Sequence, residues 1–196
     1  MKAKAWLMLG VLLLVLAGFW FAFSKEEYVI KGKGFDDAPA KLIITEYADF
    51  QCPACGTAFP IVKKVKEEYS REKIKIDFRH FPLKQIHPFA FKAAQAAECA
   101  RDQEKFWEYH DVLFERQRDL RVVSLKKYAK ELGLNTEEFG ACLGSDAMAP
   151  RVEGNLNEGV AAGVRATPTF VIAGKVYQGV LSYEKLKQIV DAGIGA

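Results

Sequence analysis

Histidine is scarce in this 196-residue sequence, at three residues, and cysteine comes to four. No two histidines stand three to five residues apart, and only one close cysteine pair exists, Cys52 with Cys55. A structural zinc site ordinarily needs a second close pair or a spaced histidine pair, so this composition argues against one. Net charge is also low, at +3; Lys2 and Lys4 are the only charges before residue 25, which leaves +1 for the remainder. Without a basic patch there is no case for nucleic-acid binding. Internal repeats are absent, and so are low-complexity segments after the first two dozen residues. No dimerisation segment stands out, so a monomer is expected, although pairing through the N-terminal run stays open. No cofactor is expected.

What the chain does have is apolar content, 50% of its residues. That suits one targeting or membrane segment followed by a globular domain of about 160 residues, large enough for a real core. The segment is residues 6–23, an unbroken run of 18 apolar or small residues (WLMLGVLLLVLAGFWFAF). It meets the lower limit of about 17–20 residues for a membrane-spanning helix. Trp6, Phe19, Trp20, Phe21 and Phe23 lie near its ends, as interfacial aromatics do. Lys2 and Lys4 in front predict a cytoplasmic N-terminus and a domain on the outer or periplasmic face. The competing reading of residues 1–24 is a cleaved signal segment, but the run is long for one, and Ala22-Phe23-Ser24 is a poor cleavage site among large aromatics. Either reading delivers the domain to an oxidising, extracytoplasmic space.

Four cysteines fit that compartment, where disulfides persist. The natural partition is Cys52 with Cys55 as a redox pair and Cys99 with Cys142 as a second bond. Closing a loop of that size stabilises by about 3–4 kcal/mol in the chain-entropy model. The alternative is two free buried thiols.

Residues 25–40 are polar and hold Gly32, Gly34, Asp36, Asp37 and Pro39, which suggests a tether of at most roughly 55 Å. An apolar, β-prone stretch follows at residues 41–47, and then Cys52-Pro53-Ala54-Cys55 opens a helix over residues 53–70. Strand, C-x-x-C and helix in that order put Cys52 at a helix N-terminus, where unpaired N–H groups and the macrodipole favour a thiolate. A thiolate is the attacking species in thiol–disulfide exchange. A structural short-loop disulfide is the plainer reading of the same pair.

Residues 73–81 alternate as a second strand, parallel to the first through the intervening helix. Helical patterns fill residues 89–101, 104–117, 124–132, 136–143 and 146–163, with Ser124 and Thr136 as expected N-caps. A hairpin with a Gly174-Lys175 turn then joins residues 169–173 to 176–179, and a helix over residues 182–192 ends the pattern. The expected fold is α/β, with a βαβ…ββα core over residues 41–196 and a helical insertion over about residues 88–163.

At this point the chain resembles the thioredoxin superfamily, and within it the DsbA-like thiol oxidoreductases. The resemblance rests on Glu46-Tyr47-Ala48-Asp49-Phe50-Gln51-Cys52-Pro53-Ala54-Cys55, on Lys105-Phe106-Trp107-Glu108-Tyr109-His110, and on Gly163-Val164-Arg165-Ala166-Thr167-Pro168-Thr169-Phe170. It implies a thioredoxin-like fold, with Cys52 the exposed attacking cysteine and Cys55 the buried one. It also implies that Pro168 is a cis-proline that turns the Thr167 backbone towards Cys52 and offers it to an extended substrate. An ordinary trans proline opening a strand is the alternative. Glu46 stands where the superfamily places a buried carboxylate; buried near Cys55 it would shuttle that thiol's proton, and exposed it would be a solvated acid. Asp49 is read as a turn residue, and His80, His87 and His110 as structural. Phe50, Phe59, Phe89 and Phe91 either line a docking surface or fill the core.

The resemblance further implies an oxidase of reduced exported proteins, reoxidised by a membrane partner of the DsbB or vitamin K epoxide reductase type. Ala54 replaces the histidine of the strongly oxidising members, which predicts a weaker oxidant. A membrane-tethered reductase or isomerase uses the same residues, and a thioredoxin-like chaperone module is a further alternative.

Overall fold

Leu42 and Ile44 are buried while Ile43 between them is half exposed, the alternation of a strand with one face on a core. The computed structural model describes residues 39–195, in which this strand is β1 (Leu42–Ala48). The apolar run 6–23 and nearly all of the tether lie outside those residues; within them no helix is long and apolar enough to cross a membrane. Helix α1 (Pro53–Glu68) follows, then β2 (Ile74–His80), which pairs parallel to β1 from Leu42–Ile74 through Ala48–His80. After the insertion come β3 (Thr169–Ile172), antiparallel to β1, β4 (Lys175–Gln178), antiparallel to β3, and the last helix, α7 (Tyr183–Gly195). The mixed sheet therefore runs β2-β1-β3-β4.

The insertion consists of α2 (Ala90–Arg101), α3 (Phe106–Glu115), α4 (Val122–Glu131), α5 (Thr136–Gly144) and α6 (Ala149–Ala161). One face of the sheet is covered by α1 and α7, with Ala58, Val62, Val65, Leu186 and Val190 packed on Leu42, Ile44, Phe170 and Ile172. The other face carries Tyr47, Phe81 and Val164 under α6. There Gly159 is required, because a Cβ on it would lie 2.7 Å from the Phe81 ring and 2.9 Å from Tyr47. Inside the insertion, Cys99 of α2 is bonded to Cys142 of α5, with Cα atoms 5.8 Å apart. The 43-residue separation gives about 4 kcal/mol of chain-entropy stabilisation. Glu98, fully buried beside it, joins three elements by hydrogen bonds from His80 at 2.7 Å, Arg101 at 2.8 Å and Arg151 at 2.8 Å. Burial would raise its pKa, but the His80 bond and the arginine charges hold it at about 2.

Several boundaries differ from the sequence expectation, each for a backbone reason. The α3 helix begins at Phe106 rather than Glu104, and α6 at Ala149 rather than Asp146, because Glu104 and Asp146 adopt φ of 61° and 55°, outside the right-handed helix. Asn135, not Thr136, caps α5, its Oδ1 accepting from the Glu137 and Glu138 amides at 3.0 and 3.1 Å. Ser124 is not the cap of α4; it lies inside the first turn and donates to Asp119 at 2.7 Å. The hairpin turns at Ala173-Gly174, both with positive φ (47° and 75°), one residue earlier than expected.

Candidate active site

Cys52 occupies the N-cap position of α1 in an extended conformation, and Pro53 begins the helix with its φ already suited to it. No side chain caps the helix, and its first turn holds no acid. The amides of the first turn are therefore left to the sulfur, with no carboxylate to repel a thiolate. The Cys52 thiol is pulled down to about 5. The hydrogen bond from the Cys55 thiol is the largest cause, against the opposing effect of burial; the Thr167 hydroxyl and the amides of Cys55 and Ala54 add to it. Cys55 has the opposite environment: it is fully buried, and desolvation drives its pKa far above that of a free thiol. Its sulfur accepts the Asp49 amide at 3.5 Å. The two sulfurs, three residues apart in sequence, are thus strongly unequal as acids. Cys52 is less open than an exposed cysteine, at 6% accessibility against 0% for Cys55.

The sequence-distant side of the site is the segment before β3. The Thr167–Pro168 peptide bond is cis. The Thr167 carbonyl accepts the Cys52 thiol at 3.5 Å across 115 residues of chain. Its hydroxyl is buried without a hydrogen-bond partner of its own, so it is available to a thiolate at Cys52. Thr169 Oγ1 donates to the Ala166 carbonyl at 2.6 Å and the Gly179 amide to the Pro168 carbonyl at 2.8 Å, which holds this segment in place.

Glu46 lies on β1 between Phe78 of β2 and Phe170 of β3. It is 3% exposed and shares its strand face with Ile44 and Ala48. Ala48 packs in the cluster of Cys55, and Ile44 in that of Ala58, so the Glu46 carboxyl is enclosed behind the first turns of α1. Burial alone raises it to about 8, which leaves it protonated at neutral pH.

Asp49 is a turn residue and more. One carboxylate oxygen accepts the Gln51 amide at 2.7 Å; the other accepts the Leu83 amide at 2.8 Å and pairs with His87 Nδ1 at 2.7 Å. Gln51 Oε1 in turn accepts the Phe89 amide at 2.8 Å. The approach to Cys52 is thereby braced against the segment after β2. Asp49 and His87 stand 38 residues apart, with no local signal to join them. His110 is enclosed by Phe50, Phe78, Trp107 and Phe114, with ring centroids 4.7 to 5.6 Å away, and burial lowers it to about 4. Phe50 is core; Phe59 and Phe91 are half-buried, and Phe89 alone of the four is exposed, at 42%. Among the described residues no three or more His, Cys, Asp or Glu side chains are grouped so as to hold a metal ion.

Residues 34–192 match the thioredoxin family. The Na(+)/H(+) antiporter NhaA 3 of Salinispora tropica is 37% identical over 151 residues, which are 77% of this chain but 23% of that protein. The chain thus spans about a quarter of the length of the curated relatives it matches. Among solved structures, oxidised BdbD from Bacillus subtilis superposes with a TM-score of 0.73 at 24% identity, covering 85% of this chain and 93% of that one. The α-DsbA1 of Wolbachia pipientis gives a TM-score of 0.70 at 22% identity, covering 84% and 90%. A family match over most of the described residues, a C-x-x-C pair at the start of the first helix after β1, and a sheet in which β1 is flanked by β2 and β3 together place this chain in the thioredoxin family.

Proposed function

We propose that the chain is a membrane-tethered, extracytoplasmic oxidase that introduces disulfides into exported proteins. The observation that carries this reading is the inequality of the two sulfurs, with Cys52 held towards the thiolate and Cys55 towards the thiol. In the oxidised enzyme a substrate thiolate attacks Cys52 Sγ. The Cys52–Cys55 bond breaks, its electron pair goes to Cys55 Sγ, and Cys55 takes up a proton, for which protonated Glu46 behind α1 is the available acid. A second substrate thiolate then attacks the substrate sulfur of the mixed disulfide, and Cys52 leaves as a thiolate. The substrate loses two electrons and the enzyme gains them. A leaving group of low pKa makes the forward step favourable.

Tethering through residues 6–23 and an oxidising location are supported by that apolar run and its lysine flank. The Cys99–Cys142 bond agrees with such a compartment. Reoxidation would fall to a membrane partner of the DsbB or vitamin K epoxide reductase type, kept close by the tether. Ala54 favours a second reading: it brings no side-chain donor to the Cys52 thiolate, which weakens the oxidant and leaves room for a reductase or isomerase. Equilibrating the full chain with glutathione separates the two. A potential from about −200 mV upwards is expected of the oxidase, whereas a value near about −270 mV, that of thioredoxin, would overturn it.

A further inference from the structure

Gln117 stands just beyond the end of α3, half-buried and 65 residues from Cys52 in sequence. Its Nε2 group donates to the Phe50 carbonyl at 2.8 Å and to the Cys52 carbonyl at 2.9 Å. The Cys52 carbonyl also accepts the Gly56 amide at 3.1 Å, the first hydrogen bond of α1. The other end of the same side chain fills the space over Gly56, where an added Cβ would lie 2.1 Å from Gln117 Oε1. One amide therefore grips the backbone on both sides of Gln51 and seats itself against the first turn of the helix. These contacts fix the peptide that leads into Cys52 relative to the amides of Ala54 and Cys55, on which the sulfur depends.

We propose that Gln117 is a positioning residue for disulfide exchange, which pins the Phe50 and Cys52 carbonyls so that the Cys52 sulfur stays over the N-terminal amides of α1, and that a glycine at position 56 is what admits it. The proposal rests on Cys52 being the exchanging sulfur, but not on whether electrons flow in or out. Cys55 is the titratable side chain that faces Cys52, so a change in the Cys52 titration reports on geometry and not on a new charge.

The test is the titration of Cys52 in the reduced full chain, by thiolate absorbance and by the rate of alkylation with iodoacetamide. Gln117→Met keeps length and apolar contact but removes both hydrogen bonds, and its midpoint is expected to rise by about one pH unit, with alkylation at acid pH about tenfold slower. Gly56→Ala improves helix propensity, so the chain folds, yet it displaces the amide and is expected to give a similar shift. The double variant should shift no further than either single one, since both remove the same grip. A midpoint unchanged in Gly56→Ala, or strictly additive shifts in the double variant, would overturn the proposal. A wild-type chain with a low midpoint that cannot oxidise a substrate would instead overturn the oxidase reading and leave this one standing.

Discussion

Cys52→Ser abolishes disulfide exchange, and Cys55→Ser stops it halfway. The Cys52 sulfur is the one the substrate thiolate attacks and the one that later leaves from the mixed disulfide, and a serine hydroxyl forms no disulfide, so turnover of a reduced substrate should fall by roughly four orders of magnitude or more. Cys55→Ser keeps the attacking sulfur and lacks only the group that releases it. With a substrate disulfide as probe it should accumulate a mixed disulfide at Cys52. The hydroxyl at position 55 can still donate to the Cys52 thiolate, the largest single contribution to its low pKa, whereas Cys55→Ala removes that donor. The serine variant should therefore trap substrate at lower pH than the alanine variant. Non-reducing gels followed by mass mapping read both effects. Residual turnover in Cys52→Ser, or an adduct mapped to any other residue, would contradict the assignment.

Glu46→Gln should make the protein more stable and its redox cycle slower. The folded pKa of Glu46 is raised to about 8 from 4.5. A group raised in this way contributes stability that is fully present below the unfolded value and is lost as pH rises through the folded one. From pH 4.5 to about 8 the unfolded chain ionises while the folded chain stays protonated. Stability falls there by up to about 1.4 kcal/mol per pH unit. Glutamine is neutral throughout, so the variant should match the parent near pH 4.5 and exceed it by about 3 kcal/mol at pH 7, with no further gain above about 8. The same substitution removes the buried acid proposed to exchange a proton with Cys55, and a loss of about a hundredfold in the Cys55-dependent step is expected. Denaturant unfolding at several pH values and single-turnover kinetics measure the two. Parallel stability curves would mean that Glu46 ionises freely in the fold; an unchanged rate would dismiss it as a proton carrier.

The parts of this fold that sequence alone conveys are those governed by short periods. An apolar, β-prone stretch at residues 41–47 marks β1, and alternation in residues 73–81 marks β2, since a strand with one buried face repeats every second residue. The helix after Cys52 is equally plain, because Pro53 fits its first turn and Ala58, Val62 and Val65 recur on one face. The misplacements fall where a single backbone angle decides. Asn135 and Thr136 are both competent caps, and only the path of the chain chooses the first. Ala173 with positive φ is a conformation that alanine rarely adopts, so a glycine-lysine turn looks better on paper than the alanine-glycine one that forms. Glu104 and Asp146 shorten two helices for the same reason.

The site divides in the same way. Cys52 and Cys55 are visible because strand, motif and helix are contiguous, whereas Glu46 is singled out by the place the superfamily gives a buried carboxylate. Thr167 and Pro168 come into view only through the resemblance, since 115 residues separate Thr167 from Cys52. His87 and Gln117 give no local sign at all. Each is an ordinary polar residue whose role arises when β2 and α3 are brought against the turn that carries Cys52, 38 residues away for Asp49–His87 and 65 for Cys52–Gln117. Their functional content is the backbone carbonyl or carboxylate they meet, which no periodicity in the chain encodes.

Everything proposed for the chemistry depends on Cys52 being a thiolate at physiological pH while Cys55 is not. The direct measurement is the pH dependence of ultraviolet thiolate absorbance in the reduced full chain, with Cys52→Ser as the reference. A single transition near pH 5, absent from the reference, is the result expected. A midpoint near about 8.5, that of an ordinary thiol, would contradict it and remove the basis for an oxidising enzyme.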